Sequence, residues 1–186
     1  AGINSIGTDL NPLARMMSKV KTTHYDERSI SCQIQNIFFA CSFYSKDLVT
    51  DTDFNRISNH SFWYSEEVLY KLSFLAQEIN NLPSNNDFFN LILAETVRET
   101  SFTRNGEFKR FRMKEENIKK FNPDVFKIFL EKAERNLKGL KYFNKIRNNT
   151  TATICDFNST NGIPQSLITN GSVDMVITSP PYGDSR

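Results

Sequence analysis

The residues best equipped for chemistry lie close together in Val173-Asp174-Met175-Val176-Ile177-Thr178-Ser179-Pro180-Pro181-Tyr182. A short apolar run stops there on two prolines that cannot continue a hydrogen-bonded ladder, the pattern of a buried parallel strand and its end. Ligands of open α/β sheets bind beyond the carboxyl ends of the strands. At such a point the Pro-Pro step fixes the backbone and aims a carbonyl, Ser179 offers a hydroxyl, and Tyr182 offers a flat face. These groups could hold an exocyclic amine between two acceptors while stacking on its ring. The plainer alternative is a proline-ended strand closed by a core tyrosine. A second candidate is Asp9, in Ile6-Gly7-Thr8-Asp9-Leu10-Asn11-Pro12-Leu13-Ala14. An acid at a strand end takes ribose hydroxyls in nucleotide-binding α/β folds, although D-x-N-P taken alone more often caps a helix. Asp156 stands in the same position after the alternating stretch 151–155.

The elements that must position these groups follow from periodicity. Residues 3–8 read as the end of a strand, and Pro12 opens a helix carrying Leu13, Met16, Met17 and Val20. Further helices are expected over about 27–44, from a Ser65 cap to about 80, over 87–99, and from Asn122-Pro123 to about 145. Residues 45–64 look irregular, with Phe62-Trp63-Tyr64 as core or as wall. Strands are expected at 151–155 and 173–177. The expected class is α/β: strand and helix (1–22), a helical insertion (23–150), then two strands (151–186).

The 186 residues suit one core, and 39% hydrophobic content is supplemented by sixteen Phe and six Tyr. Mean hydropathy is −0.46, and no apolar run approaches the ~20 residues of a membrane span. Neither a membrane segment nor a signal peptide is expected. Cys32, Cys41 and Cys155 show no C-x-x-C spacing, so neither a disulfide framework nor a metal site is expected, and a reducing cytoplasmic setting is the default. Residues 98–150 hold 15 basic and 7 acidic side chains, while both flanks are acidic. A basic middle suits a polyanion-facing surface or a solvated lysine-rich helix. Within it, Arg104-Asn105-Gly106-Glu107-Phe108-Lys109-Arg110-Phe111-Arg112 alternates phenylalanine with cations, and Arg98, Lys114, Lys119 and Lys120 extend the patch. Such a mixture fits phosphate contact with apolar anchoring, or an exposed cationic surface over a core phenylalanine pair.

These motifs together resemble the amino-group DNA methyltransferases, which act on N4 of cytosine or N6 of adenine and share a (D/N/S)-P-P-Y motif. The resemblance implies a prokaryotic intracellular enzyme of restriction–modification type, with S-adenosylmethionine as methyl donor and double-stranded DNA as substrate. It implies that Ser179 and Pro180, within Ser179-Pro180-Pro181-Tyr182, grip the target amine and that Tyr182 stacks on a flipped base. The Ser variant preceded by Thr178 is commoner among the N4-cytosine enzymes. Asp9, with Asn11 beside it, matches the second motif, whose acid binds the cofactor ribose. Asp156, with Phe157 as packing partner, resembles the third, whose acid reaches the adenine. Arg104, Lys109, Arg110 and Arg112 resemble an inserted DNA-contacting region. The implied fold is part of a Rossmann-like class I methyltransferase sheet interrupted by an all-helical insertion.

One motif has no counterpart. The family carries a glycine-rich F-x-G-x-G turn where backbone approaches the methionine half of the cofactor. The seven glycines stand at 2, 7, 106, 139, 162, 171 and 183, no two of them separated by one residue. The expectation is therefore a central piece of a methyltransferase, inactive alone and completed by a complementary segment or by self-association. The rival targets are N6 of adenine and, with related motifs that begin with Asn, protein glutamine or RNA. A rival of another class is a catalytically inactive helical DNA-binding piece.

Overall fold

The computed structural model describes residues 2–104 and 111–178. Strands β1 (Ser5–Thr8) and β2 (Ala152–Cys155) pair in parallel, with Ser5 opposite Ala152 and Thr8 opposite Cys155. Between them, among the described residues, run helices α1 (Pro12–Thr22), α2 (Glu27–Ser42), α3 (His60–Trp63), α4 (Glu66–Asn80), α5 (Asn86–Glu99), α6 (Glu115–Ile118) and α7 (Val125–Ile146). Side-chain caps set several helix starts: Asn11 accepts from the Leu13 amide, Asp26 from Ser29, Ser65 from Val68 and Asp124 from Lys127. The longest helix thus starts at Asp124 rather than at Asn122-Pro123, because Asp124 is the carboxylate within reach of the third free amide. Residues 45–59 contain two single 3₁₀ turns, so the irregular reading of that stretch holds up to the short α3.

The core lies among the helices. Ile30, Ile34 and Ile37 of α2, Val68, Leu72, Leu75 and Ile79 of α4, Phe88, Phe89 and Ile92 of α5, and Val125, Phe129, Ala133 and Leu140 of α7 form one buried cluster. Its buried members run from Tyr25 to Leu140, and Val20 of α1 packs against it from outside. Lys19 of α1 pairs with Asp87 of α5 at 2.6 Å, which raises the Lys19 pKa chiefly through that bond.

Polar groups also enter this core. Thr96 of α5 and Thr100, the residue that caps its end, are fully buried, and each hydroxyl donates to the carbonyl four residues earlier, at 2.9 Å. Gln33 is buried on α2, where its Oε1 accepts from Asn85 Nδ2 at 2.8 Å and its Nε2 donates to the Ser84 carbonyl. Asn85 has φ +65°, which asparagine tolerates better than most side chains.

One expected strand does not form. Residues 173–177 pair with nothing among the described residues, and Met175, Val176 and Ile177 are 72%, 79% and 88% exposed. A doubly buried parallel strand needs a neighbouring strand edge and helices on both faces. The described sheet contains β1 and β2 alone, so the apolar run finds no such slot.

Asn85→Ala should lower stability by about 2 kcal/mol, by straining the left-handed backbone and leaving Gln33 Oε1 buried without its donor. Asn85→Gly, which keeps the backbone geometry, should lose less. Urea unfolding of the two variants measures the difference.

Candidate functional site

Side chains extend the two-stranded ladder at both ends. At its start the Asn4 Oδ1 accepts from the Thr151 amide at 2.9 Å. At its carboxyl end the Thr8 hydroxyl donates to the Phe157 carbonyl at 2.6 Å. The next residues on the two strands are Asp9 and Asp156, so parallel pairing delivers two of the sequence candidates to the same edge of the sheet.

Local geometry fixes each acid differently. The chain turns at Asp9 because its Oδ1 accepts from the Asn11 amide at 2.7 Å, and Asn11 Oδ1 in turn caps α1. Asn11 therefore acts on the Asp9 turn and the helix start. Asp156 is 74% exposed at its side chain, and its Oδ2 accepts from Arg15 Nη2 at 3.0 Å. Arg15 Nη1 donates to the Asp9 and Leu10 carbonyls at 2.7 and 3.1 Å. Phe157 is half-buried beside this turn.

The donor set fits the adenosine half of S-adenosylmethionine. That half presents hydroxyl and amine donors, and two open carboxylates are acceptors alone. No glycine pair of the first-motif kind stands among the described residues, so the fit does not extend to the methionine half. Gly7 serves another purpose: a Cβ there would lie 3.3 Å from Ile154 Cδ1, so glycine lets that side chain cross the strand.

The remaining candidates separate. Ser179, Pro180, Pro181, Tyr182, Lys109 and Arg110 lie outside the described residues. Arg112 is described, and its charge is engaged. It ion-pairs with Glu115, donates from Nε to the Phe62 carbonyl at 2.8 Å, and lies over the Phe62 ring at 4.5 Å. The geometry makes it a brace for the Phe62-Trp63 segment. Arg104 lies over Phe111 at 5.7 Å, in line with Thr103 bridging Arg112 across an antiparallel pair. Lys114, Lys119 and Lys120 are exposed and form no ion pair with a described acid. Among the described residues no group of His, Cys, Asp and Glu could hold a metal ion, and no helix is long and apolar enough to cross a membrane.

Sequence reasoning missed Arg15 and the Thr8 hydroxyl. The signal for Arg15 was a cation close behind the Asp-x-Asn-Pro turn, where a helix start favours acids.

The chain is 34% identical over 198 aligned residues to the Type II methyltransferase M.MvaI of Kocuria varians. The match takes in the whole of this chain and 43% of that protein, so the chain spans less than half the length of its relative. The resemblance to DNA methyltransferases read from the motifs is borne out at that level, and a two-stranded parallel sheet with helices is compatible with part of such a fold. No family model and no solved structure matches the chain.

A groove of about 370 Å³ lies apart from the strand ends, between the end of α2 and the start of α7, lined by Phe38, Cys41, Phe126, Leu130, Glu131 and others. Burial first, then the charges of Glu78 and Asp124, push the Cys41 thiol up to about 12, so it is no nucleophile near neutral pH. A thiol near 9 in the unfolded chain has lost its proton where the folded chain still holds it. The Cys41 contribution is therefore full below about pH 9 and is lost as pH rises toward about 12. Cys41→Ser should flatten the alkaline fall in melting temperature, read from melts over that range. At the strand ends, Thr8→Val should speed hydrogen exchange of the Phe157 amide, whose partner is the Thr8 hydroxyl at 3.4 Å, while α2 and α7 amides stay protected.

Proposed function

We propose that this chain is part of a site-specific DNA methyltransferase that moves a methyl group from S-adenosylmethionine to an exocyclic base amine, N4 of cytosine in the first instance. The observation that carries the reading is the similarity of the whole of this chain to part of a type II methyltransferase. The S-P-P-Y motif and the placing of Asp9 and Asp156 at adjacent strand ends support it. The proposed domain plan is a Rossmann-like sheet made from residues 1–22 and 151–186, with 23–150 as a helical insertion that contacts DNA. The buried helical cluster from Tyr25 to Leu140 favours that division.

The cofactor, when bound, supplies a methyl group activated on a sulfonium. Asp9 would hold the ribose hydroxyls, and Asp156 would accept from the adenine amine beside Phe157. Ser179 and the Pro180 carbonyl accept hydrogen bonds from the target amine and point its lone pair along the line of transfer. Transfer would join the amine nitrogen to that methyl group in place of the sulfur, with the amine proton lost during or after it. No covalent enzyme intermediate is required. Tyr182 stacks on the base, which must leave the duplex because its amine is out of reach inside it. The patch of Arg104, Lys109, Arg110 and Arg112, extended by Lys114, Lys119 and Lys120, faces phosphates.

The exposed 173–177 run supports a further part of this reading: a complementary segment, or a second copy, supplies the neighbouring strand, and the isolated chain is inactive. A cytoplasmic enzyme paired with a restriction activity completes the proposal. The helical core, buried independently of the strands, also favours a second reading, a helical DNA-binding piece without catalysis.

Three measurements test these readings. Nucleoside analysis of DNA methylated by the complete polypeptide should find N4-methylcytosine; N6-methyladenine would move the target. Tyr182→Ala should cost the transfer step about 1–3 kcal/mol of stacking, read as a fall in kcat/KM. Salt-sensitive DNA binding with no cofactor binding by the complete polypeptide would establish the second reading.

A further inference from the structure

Arg15 is a cation at an adverse position. It is the fourth residue of α1, whose first turn contains no acid, so its charge sits near the positive end of the helix dipole. Its side chain stays 21% exposed, folded back over the helix start instead of extending into water. What holds it there is the fork: one terminal nitrogen serves the Asp9 and Leu10 carbonyls beyond β1, the other the Asp156 carboxylate beyond β2. A planar guanidinium can serve two strand ends at once, and an ammonium point charge cannot.

The pattern of oxygens left over is informative. Arg15 takes the backbone of Asp9, not its carboxylate, and a single oxygen of Asp156. The Asn11 amide takes Asp9 Oδ1. Asp9 Oδ2 and Asp156 Oδ1 are left without a hydrogen-bond partner among the described residues, so each acid is oriented through one oxygen and offers the other. The guanidinium charge between the strand ends also offsets the repulsion of two acids aimed at one ligand.

We propose that Arg15 is a positioning residue that sets the separation and orientation of Asp9 and Asp156 for one bound nucleoside. The proposal rests on the reading of those two acids as contacts to the adenosine half of S-adenosylmethionine.

The test is calorimetric titration of the complete polypeptide carrying this chain with S-adenosylmethionine, alongside thermal melts. Arg15→Met should weaken affinity about 10-fold, and Arg15→Lys should recover little of it, as for other groups that orient a ligand-bearing side chain. In an Asp156→Asn background, Arg15→Met should add less than about 2-fold, because the two act as one unit. Should Arg15→Met not fold, Arg15→Lys decides the point, since it keeps charge and stem and must still lose affinity. A lowered melting temperature with unchanged affinity, or losses that simply add, overturns the proposal and leaves Arg15 a structural brace. Affinity weakened by Asp9→Asn and Asp156→Asn but untouched at Arg15 overturns the proposal alone. Affinity indifferent to both acids, or no binding at all, overturns the reading of the site together with the proposal.

Discussion

Two four-residue strands far apart in sequence must meet side by side, running the same way. Parallel pairing forbids a tight hairpin, so the chain leaving β1 at Thr8 has to travel the length of the sheet before β2 begins at Ala152. Here the return path is a helical body with its own apolar interior, and the closure entropy of so long a connection grows only slowly with its length. Residues 9–151 can therefore be elaborate, provided that their two ends arrive in register.

That register is what places chemistry. Strand residues alternate between faces, so a slip of one position would exchange the faces of Ile154 and Cys155 and offset Asp9 from Asp156. The molecule guards against the slip with side chains instead of more strand. Asn4 and Thr151 fasten one end of the ladder, Thr8 and the Phe157 backbone the other, and Arg15 ties the turn beyond. Ion pairs of this exposed kind contribute little to stability one at a time. Their value lies in direction, since each has a partner at a fixed backbone position.

Much of this was legible in the residues. Pro12, Ser65 and the Asp26 carboxylate sit where helix starts need them, and the spacing of Val68, Leu72, Leu75 and Ile79 gives α4 directly. Thr96 and Thr100 hide from such a reading because a hydroxyl bonded to its own helix behaves as an apolar surface. The expected strand at 173–177 fails for the opposite reason: composition states what a segment would like to bury, and a sheet edge is a property of its neighbours. Sequence reports the charge of Arg112 and not what that charge already meets within the chain, here Glu115 and the Phe62 carbonyl. Asp9 and Asp156 were each weak alone, and the pairing of β1 with β2 made them a pair.

Helix α7 has a mechanical consequence. It is 22 residues long, about 33 Å at the usual rise, and only residues 147–151 separate it from β2. One residue inserted near its middle would rotate everything after it by about 100° and carry β2 off its rail. The same insertion between α2 and α4, where the backbone follows short turns, would be absorbed where it occurs. Changes of length in the 43–59 region thus leave the sheet in place, while the length of α7 is fixed by what it must reach, like the strut of a truss whose other members can be exchanged.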